Sequence, residues 1–212
     1  DHPHIVDVYD VFDENDTCYY TMEYIEGGSL MDYVEQTETC TLQEEEALKI
    51  IREVASALSA MHSHRMNHLD VKPENILMSE EGKAVLIDFG AAHKFSNDDE
   101  ASSLLAITSG GFSPLEIGKI KDFSPSTDIY SLGATLYWLL TGEEPPREGL
   151  SERDEKPECI SDKVWKVLSL SLQTFRENRP QSIEEFLGEF ASTHRLGQRQ
   201  DCHLDRYSAI GP

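Results

Sequence analysis

The chain has 212 residues, 39% of them hydrophobic, and a formal net charge of -22 at pH 7. That length supports one domain with its own core, and that charge repels nucleic acid and anionic membrane surfaces, which argues against both as partners. Cys18, Cys40, Cys159 and Cys202 lie far apart without a CxxC pair, which argues against a disulfide framework or zinc site and for a reducing, cytoplasmic setting.

Residues 5–12 (IVDVYDVF) and 18–25 (CYYTMEYI) are rich in β-branched and aromatic residues and flank the turn formers Asp13-Glu14-Asn15-Asp16, which predicts a hairpin. Gly27-Gly28 then reads as a loop before a helix. Thr41-Leu42-Gln43-Glu44 has the form of a capping box. It opens a long helix in which Ala47, Ile51, Val54, Leu58 and Met61 make a buried stripe, while Glu45, Lys49, Arg52 and Glu53 face water. His62 and His64 have no carboxylate or cysteine partner at ligand spacing, so they read as packed or solvated rather than as metal ligands. Residues 76–78 and 84–87, around a turn at 79–82, predict a second hairpin. A segment rich in serine and acidic residues runs over 91–116. Residues 132–140 form the most hydrophobic run, too short to span a bilayer. They belong to a helix that is apolar on every face and must be buried. A proline-started helix is expected over 181–190, and residues 192–212 read as a polar linker or tail.

The chemistry concentrates in His68-Leu69-Asp70-Val71-Lys72-Pro73-Glu74-Asn75, followed by Asp88-Phe89-Gly90. An aspartate, a lysine, an asparagine and a second aspartate at these spacings suit phosphoryl transfer, which asks a protein mainly to position oxygens and neutralise charge. The pattern resembles that of the protein kinases, HRDxxxxN and then DFG. Further matches are Asp128-Ile129-Tyr130-Ser131-Leu132-Gly133, similar to the family's DxWSxG, and Arg176-Glu177-Asn178-Arg179-Pro180. The resemblance implies an α+β, protein-kinase-like fold of the eukaryotic serine/threonine type. Residues 1–25 would be a short remnant of the N-terminal β lobe with the start of the hinge, and 26–191 a mainly helical C-terminal lobe.

It also implies roles. Asp70 would accept or orient the proton of a substrate hydroxyl, and Lys72 would reach the transferred phosphate. Asn75 and Asp88 would bind Mg2+, and Gly90 would allow the sharp turn that follows. Met22 would stand as gatekeeper beside the adenine of ATP, with the backbones of Glu23 and Ile25 bonding its edge and Leu77 beneath the ring. Ser109 falls at the threonine of the family's GTxxYxAPE, with Phe112 at its tyrosine and Glu116 at its glutamate. Glu116 would pair with a buried Arg179, and Asp128 would anchor the catalytic-loop backbone. Lys72, two residues after the catalytic aspartate, goes with protein substrates that carry serine or threonine.

Two departures carry weight. Leu69 replaces the arginine that in many kinases grips a phosphate, which implies that phosphorylation at Ser102, Ser103 or Thr108 does not switch activity through this residue. No glycine-rich loop, strand lysine or partner glutamate precedes the hinge. The expectation is therefore a fragment that is inactive by itself and needs the missing N-lobe segment of the same protein. A pseudokinase or protein-docking module is the alternative, and a small-molecule phosphotransferase is disfavoured by Ser109, Glu116, Asp128 and Arg179.

Overall fold

β-branched and aromatic residues suit a pleated strand, and the front of the chain folds accordingly. In the computed structural model, which describes residues 1–15, 17–89, 93–94, 110–117, 123–150 and 154–191, β1 (Val8–Glu14) pairs antiparallel with β2 (Thr17–Met22). The bounds differ from those expected. Asp13 and Glu14 belong to the ladder, opposite Cys18 and Thr17, and the reversal falls at Asn15, whose φ of 50° asparagine tolerates. Ile5 instead bridges Leu86, and Ile25 lies beyond β2. Tyr9, Val11, Phe12, Tyr19 and Tyr20 are all exposed, and no third strand joins this pair among the described residues. The hairpin is held at its base, where Leu86 N donates to His4 O, Val6 N to Leu86 O and Glu23 N to Asp7 O.

Helix α1 (Leu30–Glu35) begins with a reciprocal capping box between Ser29 and Asp32. The box expected at Thr41 and Glu44 does not form. Helix α2 (Glu44–Ser63) starts from Gln43 without a side-chain cap, because the Glu44 carboxylate accepts instead from Ser161 N and Oγ, both at 2.9 Å. The apolar stripe of α2 is buried throughout. Glu53 departs from its expected place in water: only 17% of its side chain is exposed, and it accepts the Ala84 N–H at 2.8 Å. A backbone donor at the strand start thus takes the carboxylate inward.

Strand β3 (Met66–Asn67) pairs with β6 (His93–Lys94), and β4 (Ile76–Met78) pairs with β5 (Ala84–Leu86). Helix α3 (Pro125–Thr141) starts earlier than Asp128, with Pro125 in its first turn. It runs through the centre, buried along Ile129, Leu132, Leu136 and Leu139. Helix α4 (Asp162–Ser171) packs on it, and α5 (Ile183–Glu189) packs against α2 and α4. α5 is shorter than the 181–190 expected, because Ser182 takes the N-cap by accepting from Glu185 N. The architecture is α+β, with one core that includes α2, α3, α4 and the β4–β5 pair. Among the described residues no helix is long and apolar enough to cross a membrane. Gly90, Ser102, Ser103, Thr108, Ser109, Cys202 and the stretch 192–212 lie outside the described residues.

Gly133 marks a close approach of α3 to α4. A Cβ there would come within 2.8 Å of the Ser171 Cβ, and both residues are buried in a close-packed layer. Gly133→Ala is expected to lower the unfolding free energy by about 1–3 kcal/mol. Ser171→Gly in the same chain should recover part of that loss, as read from urea midpoints, whereas additive losses would contradict the contact.

Candidate active site

The loop from His68 to Asn75 hangs from a buried carboxylate. Asp128 is 0% exposed, and its Oδ2 accepts from His68 N at 2.9 Å while its Oδ1 accepts from Leu69 N at 2.8 Å. His62 Nε2 donates to Oδ2 from the other side at 2.7 Å. Sequence reasoning missed that partner because it lies on α2, 66 residues away. Three donors offset much of the desolvation that an isolated buried charge would suffer. Asp128 also sits in the first turn of α3, where the helix dipole favours an anion.

Leu69 is buried at 7% exposure and has a φ of 67°, a conformation that costs a leucine about 1–3 kcal/mol. Its N–H bond to Asp128 holds that turn and carries the chain into Asp70. There the side chains converge. Asn75 Nδ2 donates to both the carbonyl and the Oδ2 of Asp70 at 2.8 Å, and Lys72 Nζ lies 2.9 Å from Asp70 Oδ2. With the Asn75 amide nitrogen engaged by Asp70, its Oδ1 is the hard oxygen donor of that side chain.

Asp88 approaches from the β4–β5 pair. Ile76 opposes Leu86, and Ile87 N donates to the Asn75 carbonyl at 2.9 Å, so Asp88 is one residue beyond the point where the two stretches are bonded. Its φ is 64°. His68 joins the groups: its Nε2 meets the Ile87 carbonyl at 2.9 Å, and Asp70 N donates to its Nδ1 at 3.3 Å. A carbonyl only accepts, so Nε2 carries the proton and the ring is neutral. Burial pushes the His68 pKa down, against the opposing influence of Asp128, Asp70 and Asp88.

The expected adenine-side residues sit along the connection to β4. Met22 ends β2, and Glu23 and Ile25 follow it, half-buried. Leu77 bridges Ser29, and Met78 N donates to the Gly28 carbonyl. Gly27 is required at this crossing, since a Cβ would lie 2.1 Å from the Met78 carbonyl oxygen. The stretch after Met22 is therefore laced to the strand that begins just after Asn75.

Glu116 and Arg179 form a bidentate pair, Nη1 to Oε1 at 2.5 Å and Nη2 to Oε2 at 3.0 Å. The arginine side chain is 0% exposed. Its remaining donors go to the carbonyls of Gln173, Ser126 and Thr174, and its Cζ stands 4.9 Å from the centre of the Tyr130 ring. Removing one partner of a pair this deeply buried costs about 3–5 kcal/mol, because it strands the other charge. Among the described residues no group of three or more histidine, cysteine or acidic side chains is arranged to hold a metal ion; Asn75 and Asp88 offer the oxygen donors suited to a hard cation.

This constellation can be compared with known proteins. The model of the protein kinase domain matches residues 1–196. The chain belongs to the protein kinase domain family. Serine/threonine-protein kinase PrkC of Bacillus subtilis is 31% identical over 213 residues, 99% of this chain and 32% of PrkC. A probable serine/threonine-protein kinase PknB of Lactococcus lactis is 28% identical across 96% of this chain and 34% of its own length. A probable serine/threonine-protein kinase MARK-C of Dictyostelium discoideum is 39% identical over 153 residues, 68% of this chain and 19% of that protein. The chain thus spans about a third of the length of the two bacterial relatives.

The neutral His68 makes stability depend on pH. Its folded pKa lies below the ordinary 6.5, so its contribution is complete above that value and is lost as pH falls from there towards the depressed folded value, where only the unfolded chain takes up the proton. Tm should fall between about pH 7.5 and about pH 5.5, and the fall should be shallower in His68→Phe. Equal slopes in the two proteins would show that His68 does not carry the effect.

Proposed function

We propose that this chain forms the catalytic core of a serine/threonine protein kinase, in which the γ-phosphate of ATP passes to a protein hydroxyl at Asp70. The observation that carries this reading is the convergence of Asn75 and Lys72 on the Asp70 carboxylate, with Asp88 one residue beyond the Ile87 amide that bonds the Asn75 carbonyl. The Asp70 carboxylate orients the serine or threonine hydroxyl and takes up its proton as the new P–O bond forms and the bond from the γ-phosphorus to the departing ADP oxygen breaks. Asn75 holds Asp70 through two hydrogen bonds, which keeps that oxygen in line. Lys72, now 2.9 Å from Asp70, supplies positive charge to the transferred phosphoryl group.

The donor chemistry fits magnesium. Asn75 Oδ1 and the Asp88 carboxylate are hard oxygens, few enough to leave positions for water and for phosphate. When bound, that ion neutralises charge on the phosphate oxygens. Met22, the Glu23 and Ile25 backbones and Leu77 would meet the adenine, at the stretch laced to β4. Residues 1–25 would contribute small-lobe strands and the start of the hinge, and 26–191 the large lobe. Exposed free thiols at Cys18, Cys40 and Cys159 fit a reducing, cytoplasmic compartment.

Asp70→Asn keeps the side chain's size and removes its basicity. Transfer of radiolabel from ATP to a generic basic protein by the full-length gene product should fall by about 10²–10⁴-fold in this variant. Unchanged transfer would remove Asp70 from the chemistry. No transfer by the unaltered product would favour a docking module.

A further inference from the structure

A cleft of about 250 Å3 opens between the C-terminal end of α2 and the first residues of α3 and α5. Ser59 and His62 line it from α2, Pro125 from α3, and Ser182 and Glu184 from the start of α5. Asp70, Asn75 and Asp88 are not among its walls. Its volume falls below the roughly 300–1,000 Å3 of sites for drug-sized ligands, so it suits a molecule of a few heavy atoms.

The polar groups of the cleft are acceptors. Only 9% of the His62 side chain is exposed. Its Nε2 donates to Asp128 Oδ2, which leaves Nδ1 as the ring nitrogen without a hydrogen-bond partner among the described residues. In the neutral ring that nitrogen accepts. The Glu184 carboxylate accepts from Ser59 Oγ at 3.0 Å and keeps further lone pairs open. Its own backbone amide and the hydroxyls of Ser59 and Ser182 hold its carboxyl below the usual range, so it is charged at neutral pH. The donors that an anion would need are spent within the fold. Helix α3 begins with Pro125, which has no N–H, and Thr127 N is bonded to Ser124 O. On α5 the Glu185 amide goes to Ser182 Oγ.

We propose that this cleft binds a small primary ammonium compound, with the ammonium at Glu184 and a second donor at His62 Nδ1, and that occupancy is felt at the 68–70 loop. A hydrogen bond accepted at Nδ1 draws electron density across the ring and makes Nε2–H a stronger donor to Asp128. Asp128 is the carboxylate that holds His68 N and Leu69 N, so one chain of hydrogen bonds joins the cleft to the loop.

Ethanolamine, which carries an ammonium and a hydroxyl on adjacent carbons, is the probe. Titrated into the protein at neutral pH and constant ionic strength, it should shift the amide resonances of Ser59 and Glu184 saturably, with a Kd of about 1–10 mM. Glu184→Gln, at an exposed position, should weaken binding about tenfold. Absence of a saturable shift, or equal binding in Glu184→Gln, would overturn the site. Ethylene glycol lacks the charge and acetate reverses it, so neither should move these resonances; equal shifts with either would overturn the ammonium assignment. Hydrogen exchange at the Leu69 amide should slow about fivefold when ethanolamine saturates the cleft, and an unchanged rate would overturn the link to the loop. Both readouts are independent of phosphate transfer.

Discussion

Everything at the candidate site depends on one buried carboxylate. Asp128 accepts from the backbone of His68 and Leu69 and from the His62 ring, and by doing so it holds a leucine in a left-handed turn that the chain would otherwise leave. The strain and its restraint are adjacent, so the turn persists only while α3 presents that carboxylate. This explains why α3 has to be an interior helix. Two backbone amides in a loop can be fixed to within hydrogen-bonding tolerance only by a platform that does not itself move, and a helix packed on all sides is such a platform.

The same turn of α3 also governs the second half of the site. The Ser126 carbonyl accepts from Arg179, and the Tyr130 ring lies beside its guanidinium, while that arginine holds Glu116. Residues 126 to 130 therefore set the place of the loop at 68–70 directly and of the segment at 110–117 through one intermediary. Charges of opposite sign are buried on neighbouring positions, one supplied by the helix and one gripped by it. Neither is left without donors or acceptors, which is the condition under which a buried charge is tolerated.

The architecture and the polar constellation were legible in the sequence because both are encoded locally. Asp70, Lys72 and Asn75 lie within six residues, so their convergence follows from one tight loop, and the apolar run around Leu136 announces a buried helix without knowledge of its neighbours. What stayed hidden was set by distant partners. Thr41 and Glu44 have the capping-box spacing, yet Ser161 claims the glutamate; the box that forms, Ser29 with Asp32, has the same spacing and no competitor of that kind. Glu53 has the periodicity of a solvated face and is drawn inward by the Ala84 amide. His62 looked like a packed or solvated histidine; it is packed, and its ring nitrogen completes the Asp128 cluster.

Leu69 joins the physical argument to the functional one. Its side chain is 7% exposed, so it is a core residue at the place where many kinases put an exposed cationic handle. An arginine there could pull on a distant phosphate, and the geometry of the loop would then answer to modification. Here the turn is secured from below, by Asp128, and its side chain is buried. The position of Asp70 is therefore set by the packing of Leu69 and by the Asp128 carboxylate that accepts the Leu69 amide.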